Sequence, residues 1–286
     1  RSLVQIQALH PFKADSKESV FTLLVTGSCA KMAIIWESII DGSHYQVRTA
    51  GASVRLYRNG VNHSQINPKR PLSGSIWDLI TLPTLHRLLG SINNVCILGF
   101  GAGSVGRQLK DLNVTRHIVG IELDPIHLSI AQGFFECDKG YELIASDAVE
   151  WVYGVSDNAL YDVIIDDLYT ELDNVPVRSV PMDEQWFEAL GKLLKPSGML
   201  IFNIIENDKI PNLPIFKSSE LQKRFSEVIM YRIDGYENRV IAFSKTPFNK
   251  AYLNFNLNKI LEAYPACRGV QNRYIRCSDS KIKLDK

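Results

Sequence analysis

Apolar positions along this chain fall into two textures. Up to about residue 70 they come in short runs typical of strands. Val20–Thr26 is apolar and β-branched, and His44–Thr49 and Ser53–Tyr57 read as two strands joined by Ala50-Gly51-Ala52. Asn59-Gly60 is a strong turn dipeptide. These features predict a small antiparallel sheet. Asn67-Pro68-Lys69-Arg70-Pro71 breaks the pattern, and Trp77–Leu89 then reads as a helix with Pro83 at a start or a kink.

From Asn94 strands and helices alternate. Strands are predicted at Val95–Leu98, His117–Ile121, Glu142–Ala145, Asp162–Ile165 and Met199–Ile205. Helices are predicted at Val105–Leu112, Pro125–Phe135, Ala148–Tyr153 and Asp183–Leu194, with Asp124 as an N-cap. Such alternation with short connections means a parallel sheet covered on both faces. After a helix at Ser218–Phe225, the strands Val228–Arg232 and Val240–Phe243 read as an antiparallel hairpin at the sheet edge. The expected organisation is a β-rich domain over 1–75, a Rossmann-like α/β domain over 76–245 and a polar C-terminal appendage over 246–286.

Composition adds mainly exclusions. The chain has 286 residues, 45% hydrophobic and 22% charged, with a formal net charge of +1. No global field draws it to nucleic acid or an acidic membrane. Lys69-Arg70 is a compact basic stretch without interleaved aromatics, so nucleic acid is not the expected partner. No apolar run approaches the roughly 18–20 residues of a membrane span. The five cysteines form no CxxC pair, so reduced thiols in a cytoplasm are expected, with a Cys267–Cys277 bridge the alternative. The six histidines are scattered, and no metal site is expected.

Val95–Leu98 runs into Gly99-Phe100-Gly101-Ala102-Gly103, a strand entering a GxGxG turn. Glycines there let a ligand approach the backbone, and the next helix offers free N–H groups. Gly101-Ala102-Gly103-Ser104-Val105-Gly106 also fits the GxGxxG pattern of NAD-binding proteins. Because the strand ends at Leu98, Gly99 is the first glycine of the turn, and GxGxG fits better. Glu122 ends the next strand, where a carboxylate can accept both ribose hydroxyls of a nucleoside. Asp147, before Ala148, can accept an adenine amino group, cap the following helix, or both. Asp166 and Asp167 end an apolar strand, where ligands of open α/β sheets bind; a helix cap or a solvated loop is the plainer reading of either.

Together these segments resemble class I S-adenosylmethionine-dependent methyltransferases, and more closely their spermidine synthase branch, over roughly Trp36 to Lys245. The resemblance implies a Rossmann-like sheet behind a small β-domain, a homodimer, and S-adenosylmethionine or its decarboxylated form as cofactor. It implies nucleoside contacts at Gln46, Gly99, Gly101, Gly103, Glu122, Asp147 and Ala148. Asp167 resembles the catalytic aspartate, with Asp166 just before it. Tyr45-Gln46 and the Arg58–Gln65 stretch echo the branch's N-terminal pattern. Two departures stand out. The branch's Gly-Gly-Gly-Asp-Gly loop has Ala102 in place of the aspartate that binds the donor's amine. Its Asp-Ser-Ser-Asp-Pro stretch reads Asp167-Leu168-Tyr169-Thr170-Glu171.

The nucleoside half of the site is thus kept and the diamine half rewritten. Methyl transfer to a small-molecule acceptor is the first reading, with Asp167 and then Asp166 as base. His63, Gln65, Trp77, Asp78 and Tyr169 are candidates for the acceptor pocket, each with a plain packing or surface alternative. An aspartate at position 102 would repel a donor that keeps its carboxylate, so Ala102 also admits aminocarboxypropyl transfer, and aminopropyl transfer less readily. A catalytically silent nucleoside-binding module and a NAD-dependent oxidoreductase remain open.

Overall fold

A computed structural model describes residues 32–156, 160–172 and 175–277. The predicted strand at Val20–Thr26 lies outside them. Four antiparallel strands in sequential order form the first sheet: β1 (Ala33–Ile40), β2 (Ser43–Ala50), β3 (Ser53–Arg58) and β4 (Val61–Ile66). Asp41-Gly42 and Asn59-Gly60 have positive φ at both residues, the backbone that two-residue hairpins require. β1 carries no clean alternation, because Ile34, Ile35 and Ile39 are exposed. Tyr45, Val47 and Leu56 pack into the same apolar core as the strands that follow.

The predicted helix Trp77–Leu89 is divided. α1 spans Ile76–Thr81 and gives way to a 3-10 turn over Leu82–His86. Pro83 has no N–H to continue the helical bonding, which explains the change. Then come β5 (Ile92–Leu98), α2 (Ser104–Asp111), β6 (Thr115–Glu122), α3 (Pro125–Phe134), β7 (Tyr141–Ala145), α4 (Ala148–Gly154) and β8 (Tyr161–Asp166). A hairpin that the sequence pattern did not signal follows directly: β9 (Tyr169–Leu172) and β10 (Val175–Arg178). The chain continues through α5 (Glu184–Leu193), β11 (Leu194–Ile204), α6 (Ser219–Lys223), β12 (Glu227–Ile233), β13 (Arg239–Ser244), α7 (Lys250–Ala263) and β14 (Tyr274–Cys277).

The main sheet has eight strands in the order β14-β12-β13-β11-β8-β5-β6-β7. β11, β8, β5, β6 and β7 are parallel, while β12, β13 and β14 are antiparallel. The β12–β13 hairpin, expected at the sheet edge, is covered by β14, which occupies that edge. Within the expected appendage, residues 246–277 are likewise integral to the fold. They supply the edge strand and α7, whose buried Asn256 donates to the carbonyls of Leu85 and Arg87. No helix among the described residues is long and apolar enough to cross a membrane. Cys96, Cys137 and Cys267 are buried free thiols, so Cys267 is not bridged.

From β5 the chain moves outward to β6 and β7, then returns to place β8 on β5's other side. The crevice at the carboxyl ends of β5 and β8 is thus a topological switch point, where open α/β sheets bind ligands. Replacing Asn256 by alanine leaves the Leu85 and Arg87 carbonyls unpaired beneath α7. The expected loss is about 1–3 kcal/mol in chemical denaturation, with far-UV circular dichroism of the folded state unchanged.

Candidate functional site

β5 stops at Leu98, and Gly99, Gly101 and Gly103 all take positive φ, at 80°, 57° and 93°. This is the GxGxG frame that starts at Gly99. A Cβ on Gly99 would lie 2.3 Å from the Asp167 carbonyl oxygen. Asp167 N donates to Leu98 O, so the loops after two neighbouring strands touch backbone to backbone. Gly106, third glycine of the alternative frame, answers to packing: a Cβ there would stand 2.8 Å from the Phe100 ring. Gly120 on β6 leaves room for the same ring, which meets Tyr141 edge-on.

Glu122 sits beside this loop. Its Oε2 accepts from Gly101 N at 2.7 Å and its Oε1 from Asp124 N at 3.0 Å. Burial works against its charge. The His127 imidazole and these two amides outweigh burial and hold the carboxyl below the usual range. Ser146 N donates to Glu122 O, tying the ends of β6 and β7 together. Asp147 caps α4, with Oδ1 accepting from the amides of Val149 and Glu150. Both cap bonds use Oδ1, so Oδ2 is left for another donor. Ala148 is buried in the first turn of α4. Asp124 caps α3 through Ile126 N, as the sequence predicts.

The two carboxylates after β8 have separate fates. Asp166 is fully buried, and its Oδ2 accepts from Arg178 Nη2 and Trp186 Nε1, both at 2.7 Å. It anchors β10 and α5 to the sheet and is closed to an acceptor, which corrects its reading as a second base. Asp167 accepts from Asn203 Nδ2 at 2.8 Å through Oδ1. Burial pushes Asp167 up to about 6; the Asn203 amide opposes this and the charge of Asp166 adds to it. A carboxyl poised there suits proton transfer near neutral pH.

The candidate acceptor residues separate. His63 and Tyr169 flank the crevice. The His63 carbonyl is 3.7 Å from a Cβ built on Gly101, and Ser64 Oγ accepts from Ala102 N. Ala102 is fully buried beneath β4, so no counter-charge stands at that place in the loop. Tyr169 OH donates to Asn203 O and accepts from Ile205 N, so its hydroxyl is already engaged.

Asp78 is a correction. It is fully buried and accepts from the Ser73 and Gly74 amides, Gln108 Nε2 and Tyr274 OH. Its lone pairs are used in joining α1 to α2 and β14. Gln65 and Trp77 border a separate, shallow hollow between β4 and α2, whose lining does not include Glu122, Asp147 or Asp167. Gln46 is also displaced. Side chains alternate along a strand, and Gln46 points away from Tyr45 to receive Arg48 and donate to Glu37. Tyr45, its neighbour, is the residue that reaches the crevice, donating to Asp124 Oδ2 at 2.7 Å.

Sequence reasoning missed Tyr45, Ser64, His127, Arg178, Trp186 and Asn203. Tyr45 and Ser64 lie in stretches that carry the resemblance but drew no role of their own, and all but His127 act through a partner at least twelve residues away. Among the described residues no group of three metal-ligating side chains comes together.

No family model matches the chain. A probable polyamine aminopropyl transferase of Bifidobacterium longum is 27% identical over 133 residues, 46% of this chain and 28% of the relative. Polyamine aminopropyltransferase 2 of Pseudomonas aeruginosa is 30% identical over 150 residues, 49% of this chain and 41% of the relative. An eEF1A lysine and N-terminal methyltransferase homolog of Drosophila pseudoobscura is 25% identical over 156 residues, 52% of this chain and 23% of the relative. The chain thus spans less than half the length of the curated relatives it matches. A probable spermidine synthase of Corynebacterium glutamicum superposes with a TM-score of 0.58 at 17% identity, covering 80% of this chain and 88% of that one. Human methyltransferase-like protein 13, solved with SAH, superposes at 0.51 with 18% identity, covering 73% and 97%. The fold is that of the spermidine synthase-like branch of the class I methyltransferases. These curated relatives fall on both sides of the methyl and aminopropyl division.

Two outcomes follow from the paired aspartates. Arg178→Met leaves the Asp166 carboxylate buried without its counter-ion and should destabilise the protein by about 3–5 kcal/mol in urea denaturation. Asp167 has a raised folded-state pKa, so its favourable contribution is complete below the unfolded value near 4 and lost as pH rises through about 6. Asp167→Asn should therefore melt higher than wild type at pH 8, by about 2–4 °C per kcal/mol relieved, and lose that advantage toward pH 4.

Proposed function

We propose that this chain is an S-adenosylmethionine-dependent transferase that moves a methyl group to a small-molecule acceptor. The observation that carries this reading is the convergence of the Gly99–Gly103 loop, Glu122, Asp147 and Asp167 at the switch point. The residues present fit the cofactor. The loop glycines leave a cradle that Cβ atoms would fill, Glu122 keeps spare acceptor capacity, and Asp147 Oδ2 is uncommitted. Glu122 would hold the ribose, Asp147 the adenine amino group and the loop amides the remainder. When bound, the cofactor supplies a carbon already activated by its sulfonium.

What remains for the chain is to orient the acceptor and take its proton. Asp167 is suited to both: Asn203 fixes Oδ1 and leaves Oδ2 to meet an acceptor N–H or O–H. Its basic form prevails above about pH 6. The rate should fall as pH drops through that value, and Asp167→Asn should lower it by about 10²–10⁴-fold.

Ala102 supports a donor that retains its carboxylate. An aspartate there would repel that carboxylate, whereas a decarboxylated donor would bring an ammonium with one fewer counter-charge. The aminopropyl reading draws support from the two relatives named as aminopropyl transferases. Calorimetric titration separates the two. S-adenosylmethionine and S-adenosylhomocysteine should bind at least about tenfold more tightly than decarboxylated S-adenosylmethionine and methylthioadenosine, a gap of about 1.4 kcal/mol. The reverse order would favour aminopropyl transfer. Product analysis adds a second readout: methyl transfer leaves S-adenosylhomocysteine, and propyl-type transfer leaves methylthioadenosine.

A further inference from the structure

Behind Glu122 lies a histidine pair that the reaction above does not use. His127, in the first turn of α3, has 5% of its side chain exposed. Its Nδ1 stands 3.6 Å from Glu122 Oε1, and its Nε2 stands 3.7 Å from Asp124 Oδ2. The His63 ring, on β4, lies 5.2 Å from it, centroid to centroid. Both His127 nitrogens and His63 Nε2 are buried without a hydrogen-bond partner. Buried polar atoms normally have one, so three orphans beside Glu122 call for a physical account.

A neutral imidazole carries one N–H. In either tautomer, one His127 nitrogen therefore turns a lone pair toward a carboxylate oxygen. Protonation satisfies both contacts at once. Glu122 and Asp124 flank His127 from the end of β6. Arg58 of β3 and Tyr45 of β2 both serve Asp124, at 3.8 Å and 2.7 Å. β7, also packed on α3, directs Glu142 toward His117. His63 faces it from β4 and is held down at about 4 by burial and by His127 itself, so it stays neutral.

Glu122 has about four lone-pair positions. The Gly101 and Asp124 amides occupy two of them. Those left match the two hydroxyls of a ribose. An N–H donated from His127 Nδ1 would take one of these places, so proton and nucleoside compete for the same oxygen.

We propose that His127 is a positioning residue through which nucleoside binding at Glu122 is coupled to the release of one proton. This rests on the ribose lying at Glu122, as in the proposed function. Nucleoside affinity then falls as pH drops. Occupancy of the site is thereby sensitive to acidification.

The test is calorimetric titration of the whole chain with S-adenosylhomocysteine and with adenosine, from about pH 5.5 to 8. Buffers of different ionisation enthalpy count the protons exchanged. Adenosine has no group of its own that titrates in this range. The expected result is release approaching one proton per nucleoside at the acid end, with Kd rising up to about tenfold per pH unit. His127→Gln should flatten the profile. A flat wild-type profile, proton uptake on binding, or an unchanged slope in His127→Gln would each overturn the proton link. Should that variant not fold, the proton count in Asp167→Asn decides, because Asp167 itself changes charge near pH 6. The two readings fail differently: binding that ignores pH sinks only the proton link, whereas no adenine nucleoside binding at any pH sinks the proposed function and the link with it.

Discussion

Where the sheet changes direction, two loops meet with no side chain between them. The turn after β5 lies against the backbone after β8, and a Cβ on Gly99 would fall 2.3 Å from the Asp167 carbonyl. That approach places the Asp167 carboxylate beside the glycine loop. It holds only if the loop cannot drift. Phe100 wedges it from below, in space left by Gly106 and Gly120. From above, Ser64 of β4 takes the Ala102 amide. The small N-terminal sheet is therefore a wall of the crevice and shares its core with the main domain. Gly99→Ala would need a positive φ and would meet backbone that cannot yield.

Around this contact the fold gathers four carboxylates and treats each differently. Asp166 is neutralised by Arg178 and takes a hydrogen bond from Trp186. Asp124 is held by Tyr45, with Arg58 nearby. Glu122 is kept charged by two amides and the neighbouring imidazole. Asp167 alone is desolvated with only an asparagine amide for support, and its proton affinity rises accordingly. The chemistry is set by what each acid is given as a partner. The same principle gives Ala102 its weight in the proposed function, where a neutral loop would favour a donor that keeps its carboxylate.

Much of the scaffold was legible in the sequence because its signals are local. Alternation marked β2 and β3, apolar runs marked the buried parallel strands, and Asp124 and Asp147 announced their helices as caps. Strand ends also identified Gly99 as the first glycine of the turn. What escaped was non-local. β1 exposes its isoleucines and so lacks a pattern. β14 is a strand only because β12 lends it an edge. Asp78 looked available until Tyr274, 196 residues away, closed its last lone pairs. Asp166 looked like a second base until Arg178 and Trp186 sealed it. Gln46 and Tyr45 are adjacent in sequence, yet the pleat sends them to opposite faces, and a pair motif cannot show which one faces the site.

The central claim is that the crevice between β5 and β8 holds an adenosyl donor with its reacting end toward Asp167. A crystal structure of the protein with S-adenosylhomocysteine tests it most directly. The account predicts ribose hydroxyls on Glu122, the adenine amino group on Asp147 Oδ2, and the sulfur facing Asp167. A ligand seated in the hollow beside Gln65 and Trp77, or one whose ribose leaves Glu122 untouched, would contradict it.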